Sequence, residues 1–233
     1  MSDFGILRGV GVGPGDPQLM TFKAAGILRE SRIVAYVMDE GGESYARRIA
    51  AAHFPPSVRE LPLRFSMSCD REERLAARAQ VSRQVLAFLS AGADGTFITE
   101  GDPLLYSTFQ HLLDALPQDT PVEICPGVSS LTASPAEARF SLVTEEERMV
   151  VATLNPESLR RIPEWLDTFE VIVLFKAHRQ TAALLTAMEN AHHRGKALLV
   201  QRASLAGQAS VTDLAAWDGS ALPYFTTALI RSK

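Results

Sequence analysis

Three short turns carry most of the residues in this sequence whose types and spacing can do chemistry. The first, Gly11-Val12-Gly13-Pro14-Gly15-Asp16-Pro17, is backbone nearly without side chains, so a ligand can lie close against it. The second, Glu100-Gly101-Asp102-Pro103 with Leu104-Leu105-Tyr106-Ser107-Thr108 behind it, brings carboxylates and hydroxyls together. The third, Cys125-Pro126-Gly127-Val128-Ser129-Ser130, offers N–H groups and hydroxyls at a helix start, which suits an anionic group. Together they outline one cleft. The first two also have plainer readings: a ligand-free strand-to-helix turn for the first, and for Asp102 a helix cap. Gly9, Gly11, Gly13 and Gly15 do not produce a G-x-G-x-x-G dinucleotide fingerprint, and no Walker loop is present.

The elements that must position these turns follow from apolar runs and their periods. Residues 5–12, 32–38, 95–99 and 122–125 read as strands. Helices are predicted over 17–29 (Leu19, Phe22, Ala25 and Leu28 on one side), 44–53, 70–90 (Leu75, Ala79, Leu86 and Leu89 inward) and 105–116. Pro55-Pro56 stops the second and Gly92 caps the third. This alternation implies a parallel sheet covered by helices, with ligands beyond the carboxyl ends of its strands. Farther along, strands at 149–154, 170–175, 197–202 and 224–230 alternate with helices at 157–166 and 180–190. The expectation is therefore two α/β domains, 1–133 and 134–233, joined around 134–144.

With 233 residues, 46% of them hydrophobic and 21% charged, the chain can bury its own core. Its two cysteines, Cys69 and Cys125, are too few for a disulfide framework and are expected as free buried thiols. The opening MSDFGILRGVGVGPGD lacks a basic leader with an apolar core, and no apolar run reaches about 18 residues. A cytoplasmic protein without a membrane span is the expectation. A net charge of −4 gives no electrostatic footprint for nucleic acid, so the partner is a small molecule. Trp165 and Trp217 read as packing anchors, Met67 and Cys69 as core, Glu145-Glu146-Glu147 as a solvated connection, and His192-His193 as complementing a helix C-terminus rather than binding metal.

The three turns, with Thr21 and Ala24-Ala25 after the first, resemble the tetrapyrrole (corrin and porphyrin) methyltransferases, a class of S-adenosylmethionine (SAM) enzymes. The resemblance runs from about residue 5 to the C-terminus. Leu63-Arg64-Phe65-Ser66-Met67-Ser68-Cys69-Asp70 is similar to the Leu-x-Phe-Pro-Met segment of one branch of the family, with Ser66 in place of the proline. Thr99 to Phe109, TEGDPLLYSTF, resembles the corresponding stretch of the branch that methylates C20 of precorrin-2 or cobalt-factor II in cobalamin biosynthesis.

That resemblance implies two α/β domains with SAM in the cleft between them, S-adenosylhomocysteine as product, and a homodimer. Carried over by motif, Pro14, Gly101, Asp102, Leu105, Ser129, Ser130, Phe175, Lys176, Ala203, Thr226 and Thr227 would line the cofactor site. A carboxylate for the ammonium and backbone N–H groups for the carboxylate suit a methionyl zwitterion, and an apolar slot suits adenine. Methyl transfer to carbon needs alignment more than a nucleophile. For the polycarboxylate acceptor, Arg8, Arg64, Lys176 and Arg202 near strand ends are the candidate cations, with Pro14 in the same cleft. Asp102, Tyr106 or Glu100 would assist loss of the C20 proton, although Tyr106 also reads as helix-face packing. Two other readings stay open: a related methylase acting on another corrin carbon or on uroporphyrinogen, and a SAM-binding module without activity.

Overall fold

The computed structural model describes residues 4–39, 41–65, 70–193 and 195–232, so Ser66, Met67, Ser68 and Cys69 lie outside the described residues. The chain forms two compact units, one ending at Ser129 and one beginning at Ser130.

The first unit is a parallel sheet of β1 (Leu7–Gly11), β2 (Ile33–Met38), β3 (Arg59–Arg64), β4 (Gly95–Thr99) and β5 (Val122–Cys125), ordered β3-β2-β4-β1-β5. Alternating side chains build a core on each face. Val10, Val34, Tyr36 and Ile98 pack with Ala24 and Leu28 of α1 (Phe22–Glu30) and Ile49 of α2 (Tyr45–Ala50). On the opposite face Leu7, Ala35 and Phe97 pack with Val81, Val85 and Leu89 of α3 (Arg71–Leu89) and with Phe109 and Leu112 of α4 (Phe109–Leu113).

Several helices differ from the sequence reading. Residues 17–19 form a separate 3-10 turn capped by Asp16, and α1 starts at Phe22 under a Thr21 cap. Phe22 is consequently exposed, whereas Ala25 and Leu28 turn inward as expected, joined by Ala24. In α3 the buried stripe is Val81, Val85 and Leu89, whereas Leu75 is half exposed and Ala79 is at the surface. The predicted 105–116 helix shrinks to 109–113, because Asp102 and Ser107 hold the preceding residues in turns.

A polar knot ties α2 to the sheet. Tyr36 Oη donates to Glu60 Oε2 at 2.7 Å, and Arg47 grips both oxygens of the same carboxylate. The Arg47 guanidinium beside it, aided by the Tyr36 hydroxyl, holds the Glu60 carboxyl below its ordinary value. A depressed folded value means that the stabilisation is complete above about pH 4.3 and is lost as pH falls through the folded value. Glu60→Gln should therefore cost about 1 kcal/mol near neutrality. In urea melts against pH, the gap to the wild type should close toward about pH 3; a constant gap would mean that charge is not its source.

The second unit is a mixed sheet of β6 (Met149–Thr153), β7 (Val171–Phe175), β8 (Ala197–Gln201), β9 (Ser210–Asp213) and β10 (Thr226–Arg231), ordered β6-β7-β10-β8-β9. Strand β10 runs antiparallel to both neighbours. Ile162, Trp165 and Leu166 of α6 (Pro156–Thr168) and Leu184 and Met188 of α7 (Thr181–Asn190) pack on Ile172, Leu174, Leu199, Ala228 and Ile230. Helix α5 (Ser130–Ala138) joins this unit, with Glu137 accepting from Ser204 N at 2.9 Å. Trp217 packs at the edge of this core, as a packing anchor should. Glu147 is not a solvated connection: it pairs with Arg231 at 2.6 Å, while the same guanidinium donates to the Ser141 and Leu142 carbonyls. His192 N and His193 N close α7 on the Glu189 and Met188 carbonyls at 2.9 and 3.0 Å, while the His193 ring turns away, its Nε2 2.7 Å from the Arg231 carbonyl oxygen, and pins the turn to β10.

Candidate active site

In the first sheet β1 and β4 are neighbours, yet the chain leaves β1 for α1 on one face and leaves β4 for α4 on the other. Diverging connections from adjacent strands open a crevice at their carboxyl ends, the usual place for a ligand in an open α/β sheet. The loops that start there are the glycine-rich turn and the Gly101-Asp102-Pro103 turn. Because β5 flanks β1 on its other side, the third turn falls beside them.

The three turns are in contact. Gly13 and Gly101 form an isolated antiparallel bridge, with Gly101 N donating to Gly13 O at 2.9 Å. Gly101 has φ 66°, a conformation that favours glycine. A Cβ on Gly11 would lie 2.4 Å from Gly101 O, and one on Gly127 2.1 Å from the same oxygen. Backbone therefore fills the junction where side chains would otherwise stand.

Asp102 is the stitch. Its Oδ1 accepts from Leu104 N at 2.8 Å and its Oδ2 from Gly127 N at 3.1 Å, joining the second turn to the third. It does not cap α4, whose N-cap is Thr108. Leu105 N closes the turn onto the Asp102 carbonyl at 3.3 Å. Below it, the hydroxyls of Thr99 and Ser107 lie 3.0 Å apart, and Ser107 also accepts from Phe109 N. Tyr106 is not helix-face packing: it precedes α4, is exposed, and has φ 52°, a strained backbone for an aromatic residue.

Glu100 stands between β4 and this turn. Its Oε1 accepts from Ala46 N in the first turn of α2 at 2.9 Å, and burial pushes its carboxyl above the ordinary value. Pro14 and Ser129 belong to the same loop cluster, and Ser130 opens α5. Arg64 ends β3, on the same sheet edge two strands from β4. Arg8 does not join them. It sits near the start of β1, toward the other edge, clamped by Glu123 at 2.9 Å and Asp94 at 3.1 Å. The Ile6 N–H and then Arg8 hold the Asp94 carboxyl below its ordinary value.

In the second unit, Phe175, Lys176, Arg202, Ala203, Thr226 and Thr227 gather at one sheet edge, where β7 and β8 end and antiparallel β10 begins. Lys176 and Arg202 both adopt positive φ, 57° and 48°. Phe175, Ala203, Thr226 and Thr227 are buried, so the edge is apolar with two cations on it. Thr226 Oγ1 is turned back onto the Pro223 carbonyl at 2.6 Å. Tyr224, which the sequence reading passed over, lies 5.2 Å from the His178 ring and 6.0 Å from Lys176 Nζ. Its signal was its place at the head of the β-prone 224–230 run.

Residues 7–216 match the sequence profile of the tetrapyrrole (corrin/porphyrin) methylases. The chain belongs to that family. This methylase is 33% identical over 240 residues to the cobalamin biosynthesis protein CobIJ of Mycobacterium bovis, of which it spans 46%, about half the length. It is 30% identical to a precorrin-2 C(20)-methyltransferase of Sinorhizobium sp and 32% identical to a cobalt-precorrin-2 C(20)-methyltransferase of Salmonella typhimurium. Those alignments cover 99% and 98% of this chain and 97% of each relative. Among solved structures, a cobalt precorrin-4 methyltransferase superposes with TM-score 0.75 at 20% identity, over 97% of this chain and 94% of its own. A uroporphyrin-III C-methyl transferase from Thermus thermophilus, complexed with S-adenosylhomocysteine, gives 0.69 at 22%, over 97% and 92%.

Among the described residues, no helix is long and apolar enough to cross a membrane, and no group of three or more His, Cys, Asp or Glu residues is placed to hold a metal ion.

Proposed function

We propose that this methylase uses SAM to methylate C20 of a precorrin-2-type tetrapyrrole. The observation that carries the choice of carbon is the match along almost the whole length to two C20-specific relatives. The groups present fit the cofactor. Backbone packs against backbone at the junction of Gly11, Gly101 and Gly127, and Asp102 ties the second and third turns together there, so the three loops form one fixed platform for a small zwitterion. Pro14, Gly101, Asp102, Leu105, Ser129 and Ser130 would hold its methionyl part. The apolar edge of Phe175, Ala203, Thr226 and Thr227 would take its adenosine. The sulfonium supplies an electrophilic methyl group, so the protein's part is to fix donor and acceptor in line and exclude water.

Arg64, Lys176 and Arg202 stand at the two sheet edges as cations for the acceptor's carboxylates. Arg8 is withdrawn from that role by its own two carboxylates. Arg64→Ala and Lys176→Ala should each raise the tetrapyrrole KM about tenfold and leave SAM affinity within about twofold. An unchanged KM in both would put the acceptor elsewhere.

The deciding experiment is anaerobic incubation with SAM and precorrin-2, with and without cobalt. Mass spectrometry would count the methyl groups and NMR would locate the carbon. One methyl at C20 supports the reading, and the preferred acceptor tells whether metal-free or cobalt-bearing precorrin-2 is the substrate. A methyl at another carbon, or SAM binding without transfer, overturns it. We further propose a cytoplasmic homodimer, which gel filtration with light scattering tests.

A further inference from the structure

We propose that the Tyr106 ring is the platform on which the flat face of the tetrapyrrole acceptor rests, which makes it a specificity-determining residue for that acceptor. The inference rests on the tetrapyrrole reading above and not on the choice of carbon. Its ground is an aromatic residue held where the backbone disfavours one, with its ring left open to solvent. Tyr106 takes φ 52° and is 43% exposed. Where the same loops need a positive φ for shape alone, the chain uses glycine: Gly13 has φ 89° and Gly101 φ 66°. A bulky side chain in that conformation is strained, and strain of this kind persists where the surroundings enforce it and gathers at ligand sites.

The surroundings do enforce it. Ahead of Tyr106, Leu104 N donates to Asp102 Oδ1, Leu105 N donates to the Asp102 carbonyl, and Gln110 Nε2 reaches back to the Leu104 carbonyl. Behind it, Ser107 Oγ lies 3.0 Å from the hydroxyl of Thr99, the last residue of β4. Tyr106 is thereby fixed at the carboxyl end of β4, one of the two strands whose diverging connections open the crevice. Packing does not account for the ring, which belongs to none of the apolar clusters that form the cores.

The groups around it suit a flat apolar ring system edged with carboxylates. Leu104, two residues earlier, is 48% exposed, so this turn shows an apolar pair beside the crevice. Arg64 closes β3 two strands away, about 10 Å along the sheet at the ordinary strand spacing. Its guanidinium has no hydrogen-bond or ion-pair partner among the described residues, and it is left to pair with a ligand carboxylate. An aromatic face for the macrocycle and a free cation for its rim recognise the two parts of such an acceptor separately.

Tyr106→Gly removes the ring and suits the backbone. We expect the tetrapyrrole KM to rise about tenfold, with S-adenosylhomocysteine affinity within about twofold and the melting temperature at or above that of the wild type. Tyr106→Phe keeps the ring and should restore the tetrapyrrole KM to within about twofold. Titration of precorrin-2 in the presence of S-adenosylhomocysteine, followed by absorbance, should give the same order of affinities without methyl transfer. Unchanged acceptor affinity in Tyr106→Gly would overturn the inference, as would a melting temperature lowered by several degrees, which would make the ring a packing residue. A lower kcat in Tyr106→Phe at unchanged KM would assign the role to the phenol and overturn it too. A change of oligomeric state in Tyr106→Gly on gel filtration would give the ring to a second protein chain instead. A wild type that methylates another carbon overturns the C20 reading alone. A wild type that binds no tetrapyrrole overturns both, and that outcome shows in the wild-type arm alone.

Discussion

Gly127→Ala is expected to weaken S-adenosylhomocysteine binding by about 100-fold or more, the largest effect of any single methyl group added to this chain. An added Cβ would lie 2.1 Å from Gly101 O and 2.8 Å from the Gly11 backbone, against an ordinary contact of about 3.5 Å. The obstructing atoms are backbone of the first and second turns at once, so no side chain can swing away. Relief requires the third turn to retreat by more than 1 Å, which also breaks the 3.1 Å bond from Gly127 N to Asp102. Gly26→Ala is the control: it lies within α1, and an added Cβ there meets nothing within 4 Å. It should raise stability by about 0.5–1 kcal/mol and leave binding untouched. Calorimetry on both variants checks the pair. Equal binding by Gly127→Ala would mean that the loop junction is not where the cofactor lies.

The parts of the fold that position the site were the most legible in the sequence. Strands β1 and β4 are short apolar runs that stop at Gly/Pro turns, and both signals survive folding because these strands are central and buried; β5 is an edge strand with exposed outer residues, and its Pro-Gly turn marks its end. The two strands the sequence did not announce, β3 and β9, are the outer edges of their sheets. RELPLR and SVTD lack a clean apolar pattern because an edge strand faces water on one side, and Pro62 is tolerated there because an edge strand needs fewer N–H donors. Helix faces were harder. Charge density in α3 hid its true stripe, and Phe22 looked like core only while the helix was taken to begin at Pro17.

Within the site, residue types pointed to the right loops but not to individual roles. Asp102 could be singled out from the turn it occupies, but its bond to Gly127 spans 25 residues and no local pattern reveals it. Arg8 illustrates the opposite error. Nearness to a strand end is not enough, since only the carboxyl end faces the crevice, and the two acids that hold Arg8 come from positions 94 and 123. In the second unit, Lys176 and Arg202 meet at one edge only because β10 lies antiparallel between β7 and β8. That topology is invisible in the spacing of the residues.

Asp102→Asn should be almost as damaging as Asp102→Ala, and the reason lies in what the carboxylate accepts. Two N–H groups, from Leu104 and Gly127, point at two different oxygens. An amide keeps one acceptor and turns a donor toward the other N–H, so one of the two bonds must be lost in either orientation. An unsatisfied donor in a partly buried site costs about 1–3 kcal/mol, enough to lower the melting temperature by several degrees in a unit of this size. SAM affinity should fall about tenfold or more in both variants, because the second and third turns are no longer held in register. If Asp102 served only as a counter-charge for an ammonium group, Asp102→Asn would lose affinity and melt like the wild type. Wild-type melting curves for both variants beside lowered SAM affinity would therefore reject the stitch and leave the charge.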